Sequence, residues 1–175
     1  DAVTRPWVAG GVPSERIDEY TFRFDDPTTD TFNIQRYDPA SDTLYEVDSS
    51  FMQEGLAAIE RVMAYRIEHY QPPAPTPENY WPLRWCLDEF QPQRAVAGSA
   101  GLSIPNRPAA WLEAIVARPD LVAAHLDMSC EAACAAIEVQ GQMGVDFIWG
   151  GGDLASTRGP LYSPQHFHDL MLPRL

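Results

Sequence analysis

The chain has 175 residues, enough to bury one hydrophobic core without disulfides or metals, and its 45% hydrophobic and 21% charged composition excludes disorder and a fibrous repeat. Its 25 acidic residues against 12 basic ones give a formal charge of -13, which repels phosphate backbones and anionic membrane surfaces and argues against nucleic acid or membrane as a partner. Every basic residue is Arg, so a Schiff base, a phosphate-loop lysine and an amine nucleophile are excluded.

Residues 1–50 carry eleven acidic and four basic side chains, with Asp25, Asp26 and Asp30 gathered around Pro27. They read as an irregular acidic N-terminal extension in which pieces such as Tyr20 to Phe24 alternate as strands do. The Asp cluster reads as a solvated turn and not as a cation site.

Ser50 with Gln53 forms a capping box, and Met52, Leu56, Ile59, Met63, Ile67 and Tyr70 recur at spacings of three and four, which predicts a helix over 51–70. Pro72 and Pro73 end it. Five prolines between Pro72 and Pro82 predict an extended connector that docks Tyr80 and Trp81 on a neighbouring surface.

Arg94 to Ser99 reads as a short buried strand ending in small residues. Pro108 opens a helix closed by Arg118. Pro119 opens a longer one, in which Val122, Leu126, Ser129, Ala133, Ala136 and Gln140 trace a close-packing face until Gly144. Val145 to Trp149 is the next buried strand, followed by a glycine-rich loop, Gly150 to Gly159. Ser163 and Pro164 then cap and start a final helix. The order of strand, two helices, strand and helix predicts parallel strands covered by helices, whose following loops share one end of the sheet.

Gly144 to Pro173 reads GVDFIWGGGDLASTRGPLYSPQHFHDLMLP. This stretch resembles the uroporphyrinogen decarboxylase superfamily, whose members share a Gly-x-Asp strand, a loop with Asp and Gly-Pro, then Ser-Pro, an aromatic residue and Leu-Pro. The likeness extends more loosely back to Arg94, about half the chain. It implies a (β/α)8 barrel of which 175 residues hold a part, so the fold expected is α/β, with residues 51–175 a partial TIM barrel that continues beyond Leu175.

The resemblance also implies one of two chemistries. Tetrapyrrole decarboxylation uses N-terminal Arg residues in an RQAGRYMPEY-like stretch; Arg5, Arg16 and Arg23 do not sit in one. Methyl transfer with a corrinoid protein uses zinc held by His-x-Cys-Gly and a later Cys, a motif that belongs to the second half of such a barrel. The loop with Asp153 and GPLYSP is closer to the methyltransferase branch. A zinc ion and a corrinoid partner are therefore expected of the complete protein and no cofactor within these residues; a non-catalytic binding subunit is the third reading, and a homodimer is compatible with all three.

Asp153, just past a strand, is the expected catalytic carboxylate, able to accept a proton or hold an N–H-rich ligand. Gly98, Ser99 and Ser103 in one loop, and Gly151, Gly152, Ser156 and Arg158 in the other, are the expected substrate contacts. Cys86, Cys130 and Cys134 are an odd set, read as reduced thiols of a cytoplasmic protein. Cys130 and Cys134, one helical turn apart among alanines, are read as buried structural thiols.

Overall fold

The computed structural model describes residues 12–175 apart from 103, 106, 107, 151 and 153. It divides into two units, one within 1–69 and 107–110, the other within 70–106 and 111–175.

The first unit is built on four antiparallel strands in the order of the chain: β1 (Glu15–Arg16), β2 (Thr21–Asp26), β3 (Thr31–Asp38) and β4 (Thr43–Ser49). Asp18, Asp26 and Asp38 shape the three turns in the same way. Each carboxylate accepts from the backbone N–H two residues on (Tyr20, Thr28, Ala40) and from the hydroxyl three residues on (Thr21, Thr29, Ser41), at 2.7–3.0 Å. Two of the turns then use a non-glycine residue at positive φ, Asp30 and Asp42, a conformation Asp tolerates better than most side chains. These bonds hold all three carboxylates below the ordinary Asp range, with the Tyr20 N–H foremost at Asp18 and the Thr29 and Ser41 hydroxyls foremost at Asp26 and Asp38.

The predicted helix over 51–70 is two pieces, α1 (Ser50–Gln53) and α2 (Leu56–Glu68). The break falls at Gly55, at φ 60° and ψ −124°, a backbone region other residues reach only under strain. The cap is Ser49, one residue earlier than the sequence suggested: its hydroxyl accepts from the Met52 N–H, while Gln53 reaches back to Asp48 at 2.7 Å. Ser50 is instead buried, and its hydroxyl accepts the Phe32 N–H at 2.9 Å. Ala58, Ile59 and Met63 of α2, Phe22 and Tyr37 of the sheet, and Ala110 are the unit's buried apolar residues among those described, and Arg61 of α2 donates to the Thr29 and Asp30 carbonyls of the β2–β3 turn.

The second unit opens with a 3-10 turn (Pro77–Tyr80) and α3 (Trp81–Phe90), where the sequence suggested an extended connector. Prolines do not prevent this, because Pro77 and Pro82 both sit in first turns, where a missing N–H costs nothing. Thr76 and Asn79 supply the capping box. Next come β5 (Ala97–Ser99), α4 (Ala110–Ala117), the 25-residue α5 (Pro119–Met143), ended by Gly144 at φ 90°, and β6 (Phe147–Trp149). A hairpin, β7 (Ala155–Ser156) with β8 (Gly159–Pro160), follows, then α6 (Pro164–His166), capped by Ser163 as expected, a π-helical turn (Phe167–Met171) and a 3-10 turn (Leu172–Arg174). Leu87, Val96 and Met143 form a small core that Tyr80, Leu83, Cys86, Val139 and Val145 surround.

The partial (β/α)8 barrel with an irregular extension is therefore wrong. Among the described residues there are a four-stranded antiparallel sheet and two two-stranded sheets, with no closed barrel. Two features of the sequence mislead. The acidic segment hides three hairpins behind its charge. The apolar run Phe147–Trp149 suggests a buried strand, yet Phe147 is 48% and Trp149 72% exposed. No described helix is long and apolar enough to cross a membrane.

Candidate functional site

Strands β5 and β6 run parallel, with Gly98 opposite Ile148 and Ser99 opposite Trp149, so the loops that follow them leave the same end. Asp146 fixes this register. Its N–H donates to the Val96 carbonyl at 3.0 Å and its carboxylate accepts the Val96 N–H at 2.7 Å, which gives the Gly144-Val145-Asp146 motif a structural meaning: a left-handed helix stop followed by a strand clamp. At the far end Ala100 N–H donates to the Trp149 carbonyl at 3.1 Å. The loops approach so closely there that a Cβ on Gly150 would meet the Ala100 carbonyl oxygen at 2.2 Å.

Because Val96 and Ala100 direct their backbone groups at β6, alternation turns those of Ala97 and Ser99 to the opposite edge. There Gln140 of α5, 1% exposed, acts as a substitute strand: its Oε1 accepts the Ser99 N–H at 2.8 Å and its Nε2 donates to the Ser99 carbonyl at 3.0 Å. A side chain at position 98 would overlap it, with Cβ 2.5 Å from Oε1. Beside this edge opens a cleft of about 340 Å³ lined by Asn79, Tyr80, Pro82, Leu83, Ala97, Gly98, Ser99 and Gln140. Its lining is apolar and amide surface with the Tyr80 phenol and the Ser99 hydroxyl, and none of these side chains is charged.

Of the residues singled out in the sequence, Gly98 and Ser99 line this cleft. Gly152, Ser156 and Arg158 do not line it; they are exposed residues of the segment after β6. The Ser156 hydroxyl is engaged in its own hairpin, accepting the Arg158 N–H at 3.1 Å and donating to the Gly159 carbonyl at 3.3 Å. Asp153, Ser103 and Gly151 lie outside the described residues. The other six lining residues, Asn79, Tyr80, Pro82, Leu83, Ala97 and Gln140, were not selected as a site from the sequence. Gln140 carried a signal, a carboxamide on a face otherwise of small and apolar residues.

Cys130 and Cys134, expected to be buried, are half-buried and exposed respectively, and Cys86 is half-buried. Among the described residues no group of three or more His, Cys, Asp or Glu side chains could hold a metal, so zinc has no complete ligand set there. No family model matches the chain, and no curated protein or solved structure matches it.

Proposed function

We propose that the cleft beside β5 binds a small one-carbon donor, and that the protein is a methyl-transfer enzyme of the uroporphyrinogen decarboxylase superfamily working with a corrinoid-bearing partner. The superfamily and the partner rest on the resemblance at Gly144 to Pro173. The choice between its two chemistries rests on the cleft. A volume of about 340 Å³ lies at the low end of small-molecule sites, roughly 300–1,000 Å³, and suits a donor of a few heavy atoms better than a four-ring macrocycle. Its uncharged lining also offers no cation to hold the carboxylates of a tetrapyrrole.

In this reading the Tyr80 hydroxyl, the Asn79 Nδ2 group and the outward backbone groups of Ala97 orient the donor, while the Asn79 oxygen stays with the Thr76 N–H and Gln140 keeps Ser99 from competing for the donor. Asp153, three residues past Gly150 in the chain, is the carboxylate proposed to manage the proton. The test offers the protein cob(I)alamin with a methylated amine, a methyl thioether or a methoxylated arene, and reads methylcobalamin by absorbance. Uroporphyrinogen is assayed in parallel for carbon dioxide release. Methylcobalamin formation from one donor, lost in Asp153→Asn, is the expected result. Carbon dioxide release without methyl transfer overturns the proposal in favour of decarboxylation, and neither reaction favours a binding subunit.

A further inference from the structure

Cys130 and Cys134 lie one turn apart on α5, where Cβ atoms stand about 5–6 Å from each other. The Cys130 thiol donates to the Arg174 carbonyl at 3.5 Å. Arg174 is itself fixed, its guanidinium bonded to the Asp127 carboxylate at 2.6 Å and to the Leu170 carbonyl at 2.7 Å. The last turn of the chain is thereby fastened over one sulfur, while Cys134 faces solvent.

Three roles compete for such a pair. Burial, and then the neighbouring Cys134 thiol, push Cys130 above the ordinary thiol range, which makes it a poor nucleophile at neutral pH. A direct disulfide needs Cβ atoms about 3.5–4.5 Å apart, closer than a regular helix holds them. An atom inserted between the sulfurs relaxes that demand: with bonds of about 2.3 Å, the length zinc makes to sulfur, the two sulfurs rest roughly 3.8 Å apart. Zinc completes a tetrahedron with four ligands, and among the described residues no third His, Cys, Asp or Glu joins this pair to hold a metal. A soft acceptor satisfied by two sulfurs fits the set better.

We propose that Cys130 and Cys134 are a two-sulfur chelating site for a trivalent thiophilic acceptor of the organoarsenical class, covered by the Arg174 turn. The binding step conserves oxidation state: two As–S bonds form, the arsenic–oxygen bond of the oxide breaks, and oxygen leaves as water with both thiol protons. The test adds one equivalent of phenylarsine oxide to the whole chain and follows intact mass and titratable thiols. One arsenical per chain is expected, with reactive thiols falling from three to one. Cys86→Ser should keep the adduct through a monothiol wash, whereas Cys130→Ser and Cys134→Ser should each weaken retention at least tenfold. An adduct equally stable in both single variants, or three thiols still titratable, overturns the proposal. Should Cys130→Ser fail to fold, Cys134→Ser, altered at an exposed position, together with peptide mapping of the wild-type adduct, decides: arsenic on the 130–134 peptide supports the site and arsenic on Cys86 refutes it.

Discussion

Replacing Gln140 by Leu removes both hydrogen bonds to Ser99 while keeping nearly the same volume in a position only 1% exposed. Each bond contributes about 1 kcal/mol net, and a backbone donor or acceptor left unpaired costs a further 1–3 kcal/mol or so. Ser99 borders the cleft, so water reaches part of the vacated edge and the greater apolar burial of Leu offsets some of the rest. The expected loss is about 2 kcal/mol, or roughly 4–8 °C in melting temperature for a chain of this size. Urea unfolding followed by tryptophan fluorescence measures it, with the slope unchanged. Gln140→Glu sharpens the case, because one carboxylate oxygen would then face the Ser99 carbonyl. The acid is favoured in the folded state and its pKa rises above the unfolded value. The variant's stability is then fully present below about pH 4 and declines as pH rises through the folded pKa. A loss under about 0.5 kcal/mol for Gln140→Leu, or a pH-independent difference between Gln140→Glu and the parent chain, would refute the substitute-strand role.

Gly150→Ala drives a Cβ into the Ala100 carbonyl at 2.2 Å, and since backbone must move, the expected cost is about 1–3 kcal/mol in denaturant melts. Gly55→Ala should cost about 1–3 kcal/mol as well, from backbone strain and not from crowding, because nothing lies within 4 Å of the added carbon; circular dichroism melts of the pair separate the two effects when Gly55→Asn is less damaging than Gly55→Val. Asp18, Asp26 and Asp38 have folded pKa values below the unfolded one. Their contribution is present above about pH 3.9 and is lost as pH falls through the folded values, so the sheet unit's melting temperature should drop as pH falls below about 4, and Asp26→Asn should blunt that drop.

The hairpins were legible in retrospect. Asp26-Pro27-Thr28-Thr29-Asp30-Thr31 and Asp38-Pro39-Ala40-Ser41-Asp42-Thr43 are the same turn twelve residues apart, with alternating strands on either side, and reading them as an acidic cluster obscured their backbone role. The helix–strand grammar of the second unit was clearer: Gly144 as a left-handed stop, Ser163 as a cap and the parallel β5–β6 pair all follow from residue type and spacing. What periodicity could not reveal was extent. Three-residue strands pair in parallel without demanding further neighbours, so the step from one βαβ crossover to a barrel came from the resemblance and not from the residues. Helix α3 was missed because the five prolines from Pro72 to Pro82 read as an extended connector, whereas Pro77 and Pro82 both occupy first turns. Of the cleft only the Gly98–Ser99 wall was legible, since packing alone brings Asn79, Tyr80, Pro82, Leu83 and Gln140 to it.

Occupancy of the cleft is most directly measured by isothermal titration of the one-carbon donors into the parent chain and into Ala97→Phe, which places an aromatic ring where Ala97 lines the wall. Saturable binding of one donor to the parent chain, weakened at least tenfold (about 1.4 kcal/mol) by the ring, is the predicted outcome. Binding of equal strength to both proteins would place the ligand elsewhere, binding to neither would show that these donors are not ligands, and either result would contradict the account.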